Sequence, residues 1–151
     1  GWAAGAYKRT DDPEEHEKRR ALTTLMRLGW GQAEPTFRQI FTSMFMPGAT
    51  AEQAEMFNEL QRRTASPECA VRYFEASAEL DVRHLLAEIT SATLVMHVIG
   101  DIDTPVELGR QMAAGIQGAR FVPLPGQNHL FLEHEPARVR FFEELDRFLA
   151  E

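Results

Sequence analysis

The chain has 151 residues, a formal net charge of −7, 44% hydrophobic residues and 26% charged residues. The length suits one domain with a single core, and the ordinary balance of apolar and charged residues excludes a disordered chain. The acidic excess excludes nucleic acid as the main partner, because the basic cluster Lys18, Arg19 and Arg20 follows Glu14, Glu15 and Glu17 at helical spacing and reads as ion pairs.

Cys69 is the only cysteine, so no internal disulfide can form; it reads as a small buried hydrophobe in a reducing compartment. No apolar stretch reaches the ~18 residues of a membrane span, and the N-terminus lacks a signal-peptide profile, so a cytoplasmic protein without a membrane partner is expected. "GWAAGA" contains no Met, which makes Gly1 either a cloning remnant or an internal point of a longer chain.

The first part of the chain reads as helices. "DDPEEHEKRRALTTLMRLGW" offers Asp12 as N-cap, Pro13 at the first helical position, Glu15 three residues after the cap, and Leu22, Leu25, Met26 and Leu28 on one face. "EPTFRQIFTSMFM" spaces Phe37, Ile40, Phe41, Met44 and Phe45 as a stripe that Pro47 and Gly48 terminate. "TAEQAEMFNELQRRTA" carries a Thr50/Gln53 capping box, with Met56, Phe57 and Leu60 as its apolar face. "SPECAVRYFEASAEL" starts with Ser66 as cap and Pro67, and "DVRHLLAEI" reads as a short helix. The Met and Phe residues between 37 and 57 suit core packing or the wall of an apolar pocket, and Trp2 and Trp30 suit either as well.

After Ser91 the pattern changes. "ATLVMHVIG" is an apolar run ending in Gly, as in a strand buried on both faces of a parallel sheet. "TPVELGRQMAAGI" reads as a helix capped by Thr104, "ARFVPLPG" as a second strand, and "EPARVRFFEELDRFLA" as a closing helix with Phe141, Leu145, Phe148 and Leu149 inward. Strand, helix, strand makes a βαβ unit, which gives an α/β fold within a single domain: about 8–91 helical, about 92–151 sheet-bearing.

Parallel neighbouring strands send the loops at their C-terminal ends to one edge of the sheet, about 5 Å apart. Those loops are "GDIDTP" and "GQNHLF", so Asp101 and His129 can meet although 28 residues separate them. An Asp held against a His fixes the ring's tautomer and stabilises its protonated form, as a general base requires. Asp101 and Asp103 also suit turn or cap roles. A metal site built from Asp101, Asp103 and His129 has too few oxygen ligands for a hard cation. His97 ends a strand and reads as structural; His16, His84 and His134 suit solvated or packing positions.

"ATLVMHVIGDIDTPVELGRQMAAGIQGARFVPLPGQNHLFLEHEP" resembles the last third of an α/β-hydrolase. In that family the acid follows the penultimate strand in a G-D-x-x-x-P context, matched by Gly100, Asp101 and Pro105, and the His follows the last strand, matched by Asn128 and His129. The upstream helices, from about Tyr7, resemble the helical cap of a subgroup often fused to LuxR-type DNA-binding domains or nucleotide cyclases. The resemblance implies a partial α/β-hydrolase fold, a helical cap region followed by a β-α-β-α unit. It implies no cofactor, and Asp101 and His129 as two members of a Ser-Asp-His triad acting on a small ester-like substrate. Asp103 stands where relatives usually carry an apolar residue, which makes it the alternative acid.

The nucleophile is missing. Ser43, Ser66, Ser77 and Ser91 all lie outside a G-x-S-x-G elbow. Either the Ser lies upstream of Gly1, or the chain is a ligand-sensing or oligomerisation domain of a regulator; in both cases the chain alone is expected to be inactive. Two strands alone leave an open sheet edge, so a homodimer or pairing through that edge is expected.

Overall fold

The computed structural model describes residues 13–151. In chain order these form α1 (Pro13–Gly29), α2 (Thr36–Phe45), α3 (Ala51–Thr64), α4 (Pro67–Glu79), a 3₁₀ helix (Arg83–Glu88), β1 (Leu94–Val98), α5 (Val106–Gly115), β2 (Arg120–Leu124) and α6 (Pro136–Leu149). The described residues gather into two compact units, one of 13–43 and 49–80, the other of 44–48 and 81–151. Among them, no helix is long and apolar enough to cross a membrane.

In the helical unit the caps of α3 and α4 form as their sequences dictate. Thr50 Oγ1 accepts the Gln53 N–H while Gln53 Oε1 accepts the Thr50 N–H, and Ser66 Oγ accepts the Cys69 N–H. The expected Asp12 cap lies outside the described residues. Cys69 itself is exposed, not buried, because it sits in the first turn of α4 on the side away from Ala70 and Val71.

The inward faces of these helices depart from the apolar stripes. Met26 is buried in α1, but Leu28 is 63% exposed. At 3.6 residues per turn Leu28 lies about 120° from Leu22, and Gly29 takes the inward place against the Phe37 ring. In α2 the buried residues are Arg38, Phe41 and Thr42, with Ile40 exposed; in α3 they are Asn58 and Gln61, with Met56 and Leu60 exposed. Hydrogen bonding explains the shift. The Arg38 guanidinium donates to the carbonyls of Asn58 (2.9 Å), Trp30 (2.8 Å) and Gln32 (2.6 Å). Thr42 Oγ1 donates to Asn58 Oδ1 at 2.6 Å and accepts from Gln61 Nε2 at 2.7 Å. Polar groups satisfied in this way can occupy an interior that apolar periodicity would assign to Ile40 or Met56. Trp30 packs edge-on against Phe41 at 5.4 Å and donates its indole N–H to the Gln61 carbonyl, so these two aromatics serve as core.

In the second unit β1 and β2 pair in parallel, from Leu94 opposite Arg120 to Val98 opposite Leu124. Strand alternation sends Leu94, Met96 and Val98 to a core shared with Val122, Leu124, Ala137 and Phe141, and turns His97 the other way, toward Gly109 of α5. β1 is less buried than its apolar run implies. Leu94, Val95 and Met96 are half-buried, as suits a strand with one hydrogen-bonded neighbour among the described residues. The segment "DVRHLLAEI" is a 3₁₀ rather than an α-helix, since six residues are too few to offset α-helix nucleation; its Leu86 packs on Ile116. In α6, Glu144 is buried between Arg140 (2.7 Å) and Arg147 (2.8 Å), while Leu149 is 72% exposed.

Candidate active site

The ladder between β1 and β2 continues beyond both strands. Ile99 N–H donates to the Leu124 carbonyl at 2.9 Å, and Gly100 N–H to the Gly126 carbonyl at 3.0 Å. A Cβ on Gly100 would stand 2.8 Å from that Gly126 oxygen, so only glycine lets the two loops run this close. Gly126, at φ +151°, then turns the second chain toward Asn128 and His129.

Asp101 is buried immediately after this contact. Its Oδ1 accepts the N–H groups of Asp103 and Thr104, both at 2.9 Å, which fixes the carboxylate plane. Its Oδ2 lies 2.7 Å from His129 Nδ1. Burial by itself would push the Asp101 carboxyl up. The hydrogen bond from His129, the Thr104 N–H, the nearby imidazole charge and the Asp103 N–H outweigh it and hold the group below the usual aspartate range. An ionised carboxylate only accepts, so Nδ1 of His129 carries the hydrogen, and in the neutral ring Nε2 is the proton acceptor.

Asp103, the alternative acid, is also present but placed differently. Its Oδ2 accepts the Thr104 hydroxyl at 3.1 Å and stands 3.9 Å from His129 Nδ1, beyond hydrogen-bond reach. Thr104 does not cap α5 as its sequence position suggests. Pro105 is the cap residue and no side-chain cap bond forms, because the Thr104 backbone is committed on both sides: its N–H to Asp101 and its carbonyl to His97 Nε2 at 2.7 Å.

The His129 loop is held by residues that the motif alone does not reveal. The His129 N–H donates to the Phe45 carbonyl at 2.8 Å, and the Phe45 ring meets the imidazole edge-on at 5.3 Å. Asn128 is 2% exposed; its Oδ1 accepts the Gly48 N–H at 2.8 Å and its Nδ2 donates to Glu135 Oε1. Glu135 Oε2 accepts the Leu132 N–H and closes the loop. The resemblance marks Asn128 together with His129; Phe45 and Gly48 read in the sequence only as part of a helical stripe and its terminator, and Glu135 carries no signal.

No serine of the sequence sits in a strand-to-helix elbow: Ser43 lies within α2, Ser77 within α4, Ser66 caps α4 and Ser91 lies just before β1. No protein-family model matches the chain, and no curated protein matches it. Solved structures do. An esterase from Exiguobacterium antarcticum superposes with a TM-score of 0.73 at 22% identity, over 99% of this chain and 56% of its own. A bromoperoxidase from Bacillus anthracis gives 0.74 at 22% identity, over 98% and 55%. A hydrolase from Oleispira antarctica gives 0.68 at 18% identity, over 84% and 46%. The chain therefore carries part of an α/β-hydrolase fold, and it spans about half the length of the structures it matches.

Proposed function

We propose that Asp101 and His129 are the acid and the base of a Ser-Asp-His triad, and that this chain supplies that half of the machinery for hydrolysis of a small ester-like substrate. The observation that carries the reading is the 2.7 Å contact between Asp101 Oδ2 and His129 Nδ1, with Oδ1 fixed by two backbone N–H groups. His129 Nε2 takes the proton from a serine hydroxyl as it attacks the substrate carbonyl. Asp101 stabilises the imidazolium so formed, and His129 returns the proton to the leaving group. Asp103 helps shape the turn through Thr104. A small-molecule substrate, no cofactor, and a nucleophile outside these 151 residues complete the proposal.

The test begins with the coding sequence upstream of Gly1. A strand followed by G-x-S-x-G is expected there, and the joined gene product should hydrolyse 4-nitrophenyl acetate with loss of turnover in both the elbow Ser→Ala and the His129→Ala variants. A joined product that contains the elbow and keeps full turnover without His129 would overturn the reading. The sequence's lack of any elbow serine favours a second reading, a ligand-sensing or oligomerisation domain of a LuxR-type or related regulator. A helix-turn-helix in the same frame, with no elbow, is its expected signature.

A further inference from the structure

We infer that His97 is a positioning residue for the Asp101–His129 pair; the inference rests on the triad reading above. His97 is 5% exposed and faces α5, where Gly109 leaves room for its ring: a Cβ at 109 would stand 2.5 Å from Nδ1. Its Nε2 lies 2.7 Å from the Thr104 carbonyl, and because a carbonyl only accepts, Nε2 carries the hydrogen. The same Nε2 is 3.8 Å from Asp101 Oδ2, the oxygen that receives His129.

Thr104 is therefore gripped at both ends. Asp101 Oδ1 takes its N–H, and His97 takes its carbonyl. The Asp101–Thr104 turn is closed by a side chain from inside β1, so the carboxylate's direction is set by the sheet rather than by the loop alone. Without the His97 donor the turn loses the bond that ties the Thr104 carbonyl to β1, and Oδ2 loses its fixed aim at His129. A histidine kept only to fill space would be replaceable by any side chain of similar volume; a positioning histidine is replaceable only by another donor at the Nε2 place.

That difference is measurable by proton NMR of the 151-residue chain. The hydrogen on His129 Nδ1, shared with a buried carboxylate, should appear as an exchange-protected downfield signal that disappears in Asp101→Asn. His97→Phe keeps the ring volume and removes the donor, and should lose the signal while the amide spectrum of α6 stays in place. His97→Gln, whose amide N–H reaches the same carbonyl, should retain it. Gly109→Ala keeps His97 but pushes its ring aside and should also lose the signal, which covers the case in which His97→Phe fails to fold. Survival of the signal in a folded His97→Phe or Gly109→Ala chain overturns the positioning role. A wild-type chain with no such signal overturns the Asp101–His129 pair itself, and the inference with it.

Discussion

Asp101→Asn changes one group and leaves the volume intact, so its consequences can be followed atom by atom. The Asn carbonyl can keep the N–H groups of Asp103 and Thr104, both 2.9 Å from Oδ1 in the wild type. What changes is the partner of His129. At 2.7 Å from Nδ1 the ring now meets an amide NH₂, which donates, so Nδ1 must give up its hydrogen and accept. The ring's hydrogen moves to Nε2, the nitrogen that should receive the serine proton. For a wrong tautomer in a triad the expected loss is about 10,000-fold in turnover, or about 5.5 kcal/mol of transition-state stabilisation. The tautomer itself is readable in this chain by ¹⁵N NMR of the imidazole. Nδ1 should be the protonated nitrogen in the wild type and the bare one in Asp101→Asn. The same tautomer in both proteins would refute the reasoning.

Further consequences follow from the same contacts. Asn128→Ala leaves the Gly48 N–H and a Glu135 oxygen without their partner, and should cost roughly 2–4 kcal/mol in urea unfolding; a loss below about 1 kcal/mol would contradict the clamp. Arg38→Met strips a buried donor from three close backbone carbonyls and should destabilise by about 3–5 kcal/mol, with a near-neutral result excluding its role as the pin of the helical unit. The Asp101 carboxyl is held low in the folded state, so the unfolded chain takes up its proton first. The stabilisation is full above the unfolded value of about 3.9 and is lost as pH falls through the lower folded value. The difference in urea midpoint between wild type and Asp101→Asn should thus be flat near neutrality and shrink in acid; a difference that grew in acid would reverse the sign. Finally, we propose that the outer edge of β1, which has β2 as its one neighbour among the described residues, pairs with a second copy of the chain. Sedimentation at micromolar concentration should then show a dimer, and a monomer would remove that proposal.

How much could be read from the residues differs between the two units. The meeting of the Asp101 and His129 loops follows from topology: two buried runs joined by a helix make parallel neighbours, and parallel neighbours end at one edge. Gly100 and the acid after it marked the first loop, Asn128 and His129 the second. The helices of the other unit were legible in number and, for α3 and α4, in their caps, but not in their inward faces. An apolar stripe predicts the buried side only while apolar residues do the packing. Here Arg38, Thr42, Asn58 and Gln61 take the interior through hydrogen bonds that no periodicity encodes. Glu144 is the same case in α6, buried because two arginines on its own helix neutralise it. Thr104 has the form of a helix cap, and its backbone is instead claimed by Asp101 and by His97, whose part in the turn lies in a contact across seven residues.

The choice between Asp101 and Asp103 is where one measurement reaches furthest. In the gene product that joins this chain to its upstream elbow, kcat/KM for 4-nitrophenyl acetate should fall by roughly 1,000-fold or more in Asp101→Asn, while Asp103→Asn, whose carboxylate stands 3.9 Å from the ring, should stay within about tenfold of wild type. Undiminished turnover in Asp101→Asn, or a collapse in Asp103→Asn alone, would contradict Asp101 as the group that orients His129.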